Sequence, residues 1–206
     1  MKKLKIGITG GIGSGKSYVS NLLRSRGYKV FDCDSQAKRL MTEDPDLMHK
    51  IRQVIGDDAY IVSKSSDGTK TYALNKKLIA NYLFKSKENA QLINQIIHPR
   101  VALEFQRWAK RQKKTPVFME SAILFESGFN AYVDYSLLVC ADIDVRVERA
   151  VKRDHVNAED IRRRMDNQSD MSELREKADF LIYNNPEDNL ELQIQELINH
   201  LNSIIH

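Results

Sequence analysis

The stretch Gly10–Ser17 reads GGIGSGKS and matches the pattern G-x-x-x-x-G-K-[ST] at every position. It follows a short apolar run, Leu4–Thr9, and precedes a segment with helical spacing of apolar residues, Lys16–Arg26. Glycines let a backbone approach phosphate groups closely, and the N–H groups at a helix N-terminus bind anions. The sequence therefore predicts a phosphate-binding strand–loop–helix unit (a P-loop) rather than a glycine-rich turn without a ligand.

The rest of the chain alternates between short apolar runs and helical segments. Besides Leu4–Thr9, strand-length apolar runs occupy Tyr28–Asp32, Pro116–Ser121, Tyr135–Ala141 and Phe180–Tyr183. Strands of this kind, separated by helices, are typical of right-handed crossovers in a buried, parallel sheet. The pattern predicts an α/β protein.

Two long insertions interrupt the alternation. The first, Asp46–Lys114, is predicted to be largely helical, with a surface turn at Ser63–Thr71 and an N-cap at Ser86. Pro99 predicts a kink or the start of a new helix within it. Loops and insertions on a sheet scaffold are where function concentrates.

The second insertion, Asp142–Asp179, is charged and helical, with a helix N-terminal signature at Asn157–Asp160. After the last apolar run, Asn185–Pro186 is predicted to open a final helix with proline in its first turn. No linker or repeat separates these parts.

Composition limits the class of protein. The 206 residues are 42% hydrophobic and 29% charged, and no apolar run approaches the roughly 20 residues of a membrane span. The start, Met1–Lys3, is followed by too short an apolar stretch for a signal peptide. The net charge of +4 is modest, and no stripe of basic and aromatic residues is present, which argues against binding of nucleic acid. Two cysteines, Cys33 and Cys140, predict a reducing, cytoplasmic compartment.

Chemistry is expected from side chains beside the glycine-rich loop. Lys16 is predicted to contact the β- and γ-phosphates of a nucleotide, and the Ser17 hydroxyl to ligate Mg²⁺. Asp32 and Asp34 lie two positions apart, so both carboxylates project to one side of an extended chain. One can accept a proton and the other can order metal-bound water. Alternatively, they cap the helix that follows.

An arginine-rich segment and a histidine complete the candidates. Arg149 and Arg153 share a helix face, where they form either a solvated surface or part of a lid that excludes water. His98 is either structural or part of the site. The arginine set comprises Arg146, Arg149, Arg153, Arg162, Arg163 and Arg164.

Motifs along nearly the whole chain resemble the dephospho-CoA kinase family. The P-loop by itself is specific only to a superfamily, whereas the combination in this order is specific to the family. The matching segments are Gly7–Ser17, Asp32–Asp34, Ile96–Pro99, Glu120–Glu126, Arg149–Asp154, Arg164–Gln168 and Ala178–Asn185.

The resemblance implies an ATP-dependent transferase that phosphorylates the ribose 3′-hydroxyl of dephospho-CoA, the last step of coenzyme A biosynthesis. It implies a three-layer αβα fold similar to that of P-loop nucleoside-monophosphate kinases, with a parallel five-stranded sheet. The implied parts are a nucleotide-binding core (1–45, 115–141 and 179–206), a helical CoA-binding region (46–114) and a lid (142–178). Mg²⁺ is the implied cofactor of a monomer or weak homo-oligomer without nucleic-acid or membrane partners.

The resemblance also implies residue roles. Asp34 is the expected base and a substrate contact, Lys16 and Arg149 assist transfer, and Asp32 binds metal or substrate. Ser17 is the expected metal ligand. Nucleotide contacts are expected from Gly11, Ile12, Gly13, Ser14, Gly15, Lys16, Ser17, Tyr18, Arg153 and Asn184.

Further roles follow from the same resemblance. Glu120 is expected to act on Mg²⁺ from outside its direct ligands, and His98 to bind substrate. Arg164 is a further lid residue, and Asn184 or Asn185 is expected beside the adenine.

The chain departs from the family pattern at three places. Tyr18 replaces a second Thr or Ser, Ala122–Ile123 replaces Pro-Leu, and Asn75 stands where an arginine is common. None of these changes touches the residues expected to transfer the phosphoryl group.

Three alternatives remain open at this stage. A kinase for a nucleoside monophosphate or shikimate would keep the loop and lid, although shikimate-type enzymes lack so long an insertion. A regulatory GTPase needs an Asn-Lys-x-Asp motif, but Asn75–Leu78 lacks the aspartate. A nucleic-acid ATPase is disfavoured by the modest charge.

Overall fold

The computed structural model describes residues 3–205, which belong to two compact units. One unit runs up to residue 32 and resumes at 107, and the other comprises residues 33–106. Met1, Lys2 and His206, which the predicted core includes, lie outside the described residues. The domain borders derived from the sequence remain predictions.

The described residues form both helices and strands, with two or three successive helices between some of the strands. No helix among residues 3–205 is both long and apolar enough to cross a membrane. Short 3₁₀ helices also occur at Asp57–Ala59 and Phe129–Tyr132. The order is β1 (Lys5–Thr9), α1 (Lys16–Ser25), β2 (Lys29–Asp32), α2 (Cys33–Glu43), α3 (Pro45–Ile55), β3 (Tyr60–Lys64), β4 (Lys70–Leu74), α4 (Lys76–Lys85), α5 (Lys87–Arg111), β5 (Val117–Glu120), β6 (Tyr135–Cys140), α6 (Ile143–Asp154), α7 (Ala158–Asp166), α8 (Met171–Lys177), β7 (Phe180–Tyr183) and α9 (Leu190–Ile205).

The first unit is built on a parallel five-stranded sheet with the strand order β2-β5-β1-β6-β7. Successive side chains of a strand point to opposite faces, so Ile6 and Ile8 of β1 share one face. There they pack with Val19 of α1 and Ile194 of α9 in one buried cluster. This face therefore carries the helix that begins at the P-loop.

The opposite face of the sheet is also covered by a helix. Leu138 and Cys140 of β6 are buried against Leu174 of α8. Helices on both faces explain why the strands are apolar throughout. The predicted αβα fold with a parallel sheet of five strands is confirmed.

A β-hairpin in the second unit corrects the expectation that the first insertion is helical apart from one turn. Tyr60–Lys64 and Lys70–Leu74 pair antiparallel, and the predicted surface turn forms the tip of the hairpin. Ile61 and Val62 are 56% and 49% exposed. The strands therefore lack the alternation between buried and exposed residues by which a sequence reveals a hairpin.

Helix α5 continues through Pro99, so the start of a new helix, one of the two outcomes expected there, is wrong. A proline inside a helix costs about 3 kcal/mol. Ile93, Ile97 and Val101 are buried on either side of it, and burial of this apolar face offsets that cost. The Ser86 hydroxyl accepts a hydrogen bond from Asn89 N at 3.2 Å, which confirms the predicted cap.

The last helix begins later than predicted. Asn185 N donates to the carboxylate of Asp188 at 2.7 Å, which closes a turn before the helix. Helix α9 then starts at Leu190, with the Asn189 side chain accepting from Leu192 N at 3.1 Å. The earlier start predicted at Asn185–Pro186 is therefore wrong.

Candidate active site

The P-loop joins β1 to α1 and depends on two glycines. Gly13 and Gly15 have φ angles of +76° and +89°, in the left-handed region that side chains disfavour. A β-carbon at position 13 would lie 2.1 Å from the Arg146 carbonyl oxygen, and one at position 15 would lie 2.0 Å from Asn184 Nδ2. Both positions therefore require glycine for close packing as well as for backbone conformation.

The N-terminus of α1 is left open by the loop. Gly15 is its N-cap residue and offers no side chain to accept hydrogen bonds from the first N–H groups. These groups lack partners within the helix and carry the positive end of its dipole. The arrangement suits a bound phosphate group.

Glu120, at the carboxyl end of β5, gathers the polar side chains of α1. Lys16 Nζ lies 3.2 Å from its Oε1, and Ser17 Oγ donates a hydrogen bond of 2.7 Å to the same oxygen. Arg24 Nη2 lies 3.7 Å from Oε2. Glu120 is 6% exposed, so its charge is buried and balanced by two cations.

Asp32 occupies the position on β2 that pairs with Glu120 on β5. Paired residues of neighbouring parallel strands project to the same face, so two carboxylates stand at this edge of the sheet. Among residues 3–205, no group of three or more His, Cys, Asp or Glu side chains could hold a metal ion by itself. Mg²⁺ takes most of its ligands from water and substrate phosphates, and Ser17, Asp32 and Glu120 fit that requirement.

Asn184 connects the end of β7 to the P-loop. Its Nδ2 donates to the Ser14 carbonyl at 2.8 Å, and its own carbonyl accepts from Arg149 Nη1 at 2.8 Å. The neighbouring Asn185 instead accepts a hydrogen bond from Asp142 N at the start of α6. The structure thus brings Arg149 and Asn184 to the loop together.

Arg153 and Arg164, two of the arginines predicted to belong to the site, contact an aspartate on the surface. Arg153 Nε lies 2.7 Å and Arg164 Nη1 3.3 Å from the Asp154 carboxylate. The hydrogen bond from Arg153 keeps the pKa of Asp154 below its usual range. Tyr18 is 57% exposed on α1, with its ring open to solvent.

Arg146 and Gln168 also contact the loop, through Ile12. In the sequence, Arg146 is distinguished only as a member of the arginine set, and Gln168 only as the end of a family motif. The spacing of Arg146, Val147 and Ala150 along the buried face of α6 was the signal that could have separated Arg146 from the solvated arginines.

The remaining predicted residues lie in the second unit. Asp34 is exposed in the first turn of α2. His98 is half-buried in α5, and burial lowers its pKa, which favours a neutral imidazole. Asn75 caps α4, because its side chain accepts from Leu78 N at 3.3 Å. This cap gives the departure at Asn75 a local structural reason.

Known proteins resemble the chain over nearly its whole length. The dephospho-CoA kinase family model matches residues 4–189. A dephospho-CoA kinase of Bacteroides fragilis is 42% identical over 204 residues, which cover 98% of this chain and 95% of the relative.

Solved structures of other proteins share the fold of this chain. The crystal structure of TT1252 from Thermus thermophilus superposes with a TM-score of 0.79 at 28% identity, covering 98% of this chain and 99% of the other. Dephospho-CoA kinase from Campylobacter jejuni shares the fold, with a TM-score of 0.67 at 22% identity and 98% of each chain covered. With its P-loop, buried glutamate and full-length match, the chain belongs to the dephospho-CoA kinase family.

Proposed function

We propose that this protein transfers the γ-phosphoryl group of ATP to the ribose 3′-hydroxyl of dephospho-CoA. The products are CoA and ADP, and the reaction completes coenzyme A biosynthesis. One observation carries the proposal: in a chain of this family, Lys16 and Ser17 converge on Glu120 at the uncapped start of α1.

On the donor side, the nucleotide phosphates bind the N–H groups of the P-loop and of the first turn of α1. Lys16 turns from Glu120 to the β- and γ-phosphates and stabilises negative charge during transfer. Bound Mg²⁺, held by Ser17 and through Asp32 and Glu120, supplies further charge neutralisation at the phosphates.

On the acceptor side, Asp34 is the proposed base. Its carboxylate accepts the proton of the ribose 3′-hydroxyl as that oxygen bonds to the γ-phosphorus and the bond to ADP breaks. Phosphoryl transfer depends mainly on positioning and charge, so the base needs no raised pKa. His98 and the helical region 46–114 are proposed to bind dephospho-CoA, with His98 as a neutral hydrogen-bonding group.

Helices α6 to α8 are the proposed lid. Arg149 and Arg153 lie on one face of α6 and are proposed to contact the transferred phosphates, while closure excludes water that would otherwise hydrolyse ATP. Asn184 is proposed to contact the nucleotide near its adenine. Cys33 and Cys140 are both free thiols, which supports a proposed cytoplasmic location.

An acceptor panel tests the proposal. Purified protein, ATP and Mg²⁺ are mixed with dephospho-CoA, AMP, CMP, shikimate or no acceptor, and products are identified by chromatography and mass spectrometry. A product heavier by one phosphoryl group with dephospho-CoA alone is expected. Transfer to another acceptor would show that dephospho-CoA is not the substrate. ATP loss without a phosphorylated acceptor would contradict the proposed kinase activity.

A further inference from the structure

Ile12, in the middle of the P-loop, is held from three directions by the segment that contains α6 and α7. Its N–H donates to Gln168 Oε1 at 2.9 Å, and its carbonyl accepts from Arg146 Nε at 2.9 Å. Its side chain packs on the apolar cluster formed by Val147, Ala150, Ile161 and Met165. The P-loop peptide is therefore fixed by residues 134 and 156 positions away in sequence.

Arg146 is an unusual contact because its charge is buried. It is 5% exposed, and among the described residues no carboxylate contributes to the electrostatics of its guanidinium. Burial lowers its pKa, while the Cys140 thiol acts in the opposite direction. An arginine nevertheless stays protonated at neutral pH.

The position of this cation beside the loop is equally specific. A β-carbon at Gly11 would lie 2.3 Å from Arg146 Nη2 and 3.2 Å from Gln168 Oε1. Glycine at position 11 thus lets the guanidinium lie directly against the backbone whose N–H groups face the phosphates. A buried charge is costly without an opposite charge, and the phosphates of a bound nucleotide provide one.

We propose that Arg146 and Gln168 are positioning residues that fix the Ile12 peptide for nucleotide binding, and that Arg146 adds a buried positive charge complementary to the phosphates. The inference rests on the proposed function for the identity of the nucleotide. Arg146 and Gln168 thus hold the P-loop in shape, in addition to the arginines that are proposed to close over it. Displacement of this segment then changes the shape of the phosphate site directly.

Four variants separate positioning from general packing. Gln168→Leu removes the acceptor for Ile12 N–H, Arg146→Met removes the charge at similar volume, and Arg146→Lys keeps the charge. Gln195→Leu is the matched control, because Gln195 is exposed on α9 and its side chain donates a hydrogen bond to Asn199 of the same helix. For each protein, calorimetry measures the Kd of ATP with Mg²⁺ and no acceptor. The melting temperature and the amide exchange rate of Ile12 are measured alongside.

Gln168→Leu and Arg146→Met are expected to weaken ATP binding about tenfold each, the effect of losing one hydrogen bond to a buried or charged partner. Arg146→Lys is expected to recover most of the affinity lost in Arg146→Met. Ile12 amide exchange should accelerate in Gln168→Leu and stay unchanged in Gln195→Leu.

Unchanged ATP affinity in Gln168→Leu and Arg146→Met, together with lower melting temperatures, would reduce both residues to packing and overturn the inference. If Arg146→Met does not fold, the ATP affinity and the Ile12 amide exchange rate of Gln168→Leu decide it. Failure of the wild-type protein to phosphorylate dephospho-CoA would overturn the proposed function alone, since the inference is judged on ATP binding.

Discussion

Lys16 Nζ lies 3.2 Å from Glu120 Oε1, so the cation of the P-loop already has an anionic partner inside the protein. Ser17 donates to the same oxygen, and the carboxylate is shielded from solvent. In the proposed mechanism, a nucleotide phosphate replaces Glu120 as the partner of Lys16, and the Glu120 carboxylate would then be available to a metal ion. This exchange of partners makes the roles of the two residues separable by mutation.

Replacement of Lys16 by alanine is expected to lower kcat by about 100-fold or more, because it removes a charge contact to the transferred group. The fold should persist, since the site retains Arg24 beside Glu120. Steady-state kinetics and circular dichroism check this, with Lys113→Ala on the surface as control. Wild-type turnover in Lys16→Ala would remove the P-loop assignment.

Glu120→Gln is expected to keep the hydrogen bond from Ser17 but remove the buried charge. Lys16 then lacks its internal partner, so affinity for the nucleotide without metal should rise while Mg²⁺-dependent turnover falls about 100-fold. Titrating Mg²⁺ at fixed ATP measures both effects. The exposed Glu176→Gln is the control, and an unaltered Mg²⁺ requirement in Glu120→Gln would contradict a role at the metal.

Asp34→Asn is expected to lower kcat by about 100-fold while leaving the KM for ATP near the wild-type value, because a neutral amide cannot accept the hydroxyl proton. Asp46→Asn, in the first turn of α3, is the matched control on another helix. Loss of ATP affinity instead of turnover would identify Asp34 as a metal-site residue.

Arg149→Ala is expected to leave dephospho-CoA binding unchanged and to raise the ratio of ATP hydrolysis to phosphoryl transfer. The arginine spans from α6 to the Asn184 carbonyl, so its loss is expected to loosen the segment that we propose excludes water. ADP and CoA are measured in the same reaction. Arg163→Ala, which removes a solvent-exposed arginine of α7, provides the comparison, and an equal ratio in both variants would assign Arg149 to the surface.

An ion pair between the buried Asp44 and the partly exposed Arg100, in the second unit, gives a prediction about stability. Asp44 caps α3 through a 3.0 Å hydrogen bond from Leu47 N and also pairs with Arg100. Asp44→Ala is expected to lower the free energy of unfolding by about 2–4 kcal/mol near neutral pH. Denaturant titration measures this loss, and Asp44→Asn, which keeps an acceptor for the cap, should lose less.

The contribution of the same ion pair to the free energy of unfolding depends on pH in a definite direction. Burial raises the pKa of Asp44, but the hydrogen bonds from Leu47 and Arg100 outweigh it and hold the pKa below 3.8. The stabilisation is therefore complete above that value and is lost as pH falls through the lower pKa of the folded state. The difference between wild type and Asp44→Ala should shrink in acid, and a constant difference would contradict the ion pair.

The fold was predictable where the chain is buried on two sides. The apolar runs around Ile8, Leu137 and Ile182 lie in a parallel sheet, where continuous hydrophobicity is required. The hairpin around Val62 escaped prediction because its side chains face solvent and leave no periodic signal. The helix at Pro99 escaped because tertiary packing on both sides of the proline overrides a local preference.

The site was predictable where chemistry constrains sequence tightly. Gly13, Gly15 and Lys16 stand at fixed spacing because the conformation of the loop tolerates few residue types at these positions. Arg146 and Arg149 are the same residue type, three positions apart on α6. The guanidinium of Arg146 is nevertheless buried, whereas that of Arg149 is half-buried. The spacing of Arg146 with Val147 and Ala150 is the sequence signal for its burial, and the packing of α6 against the loop shows what the buried side chain contacts.

The contacts that complete the P-loop also bear on synthesis of the chain. The loop is made early, yet Asn184, whose amide holds Ser14, is separated from it by 170 residues. Long-range closure of this kind is slow compared with local helix formation. During translation the phosphate-binding loop cannot take its final shape until β7 has left the ribosome, so the nucleotide site is completed only after the chain has been made as far as Asn184.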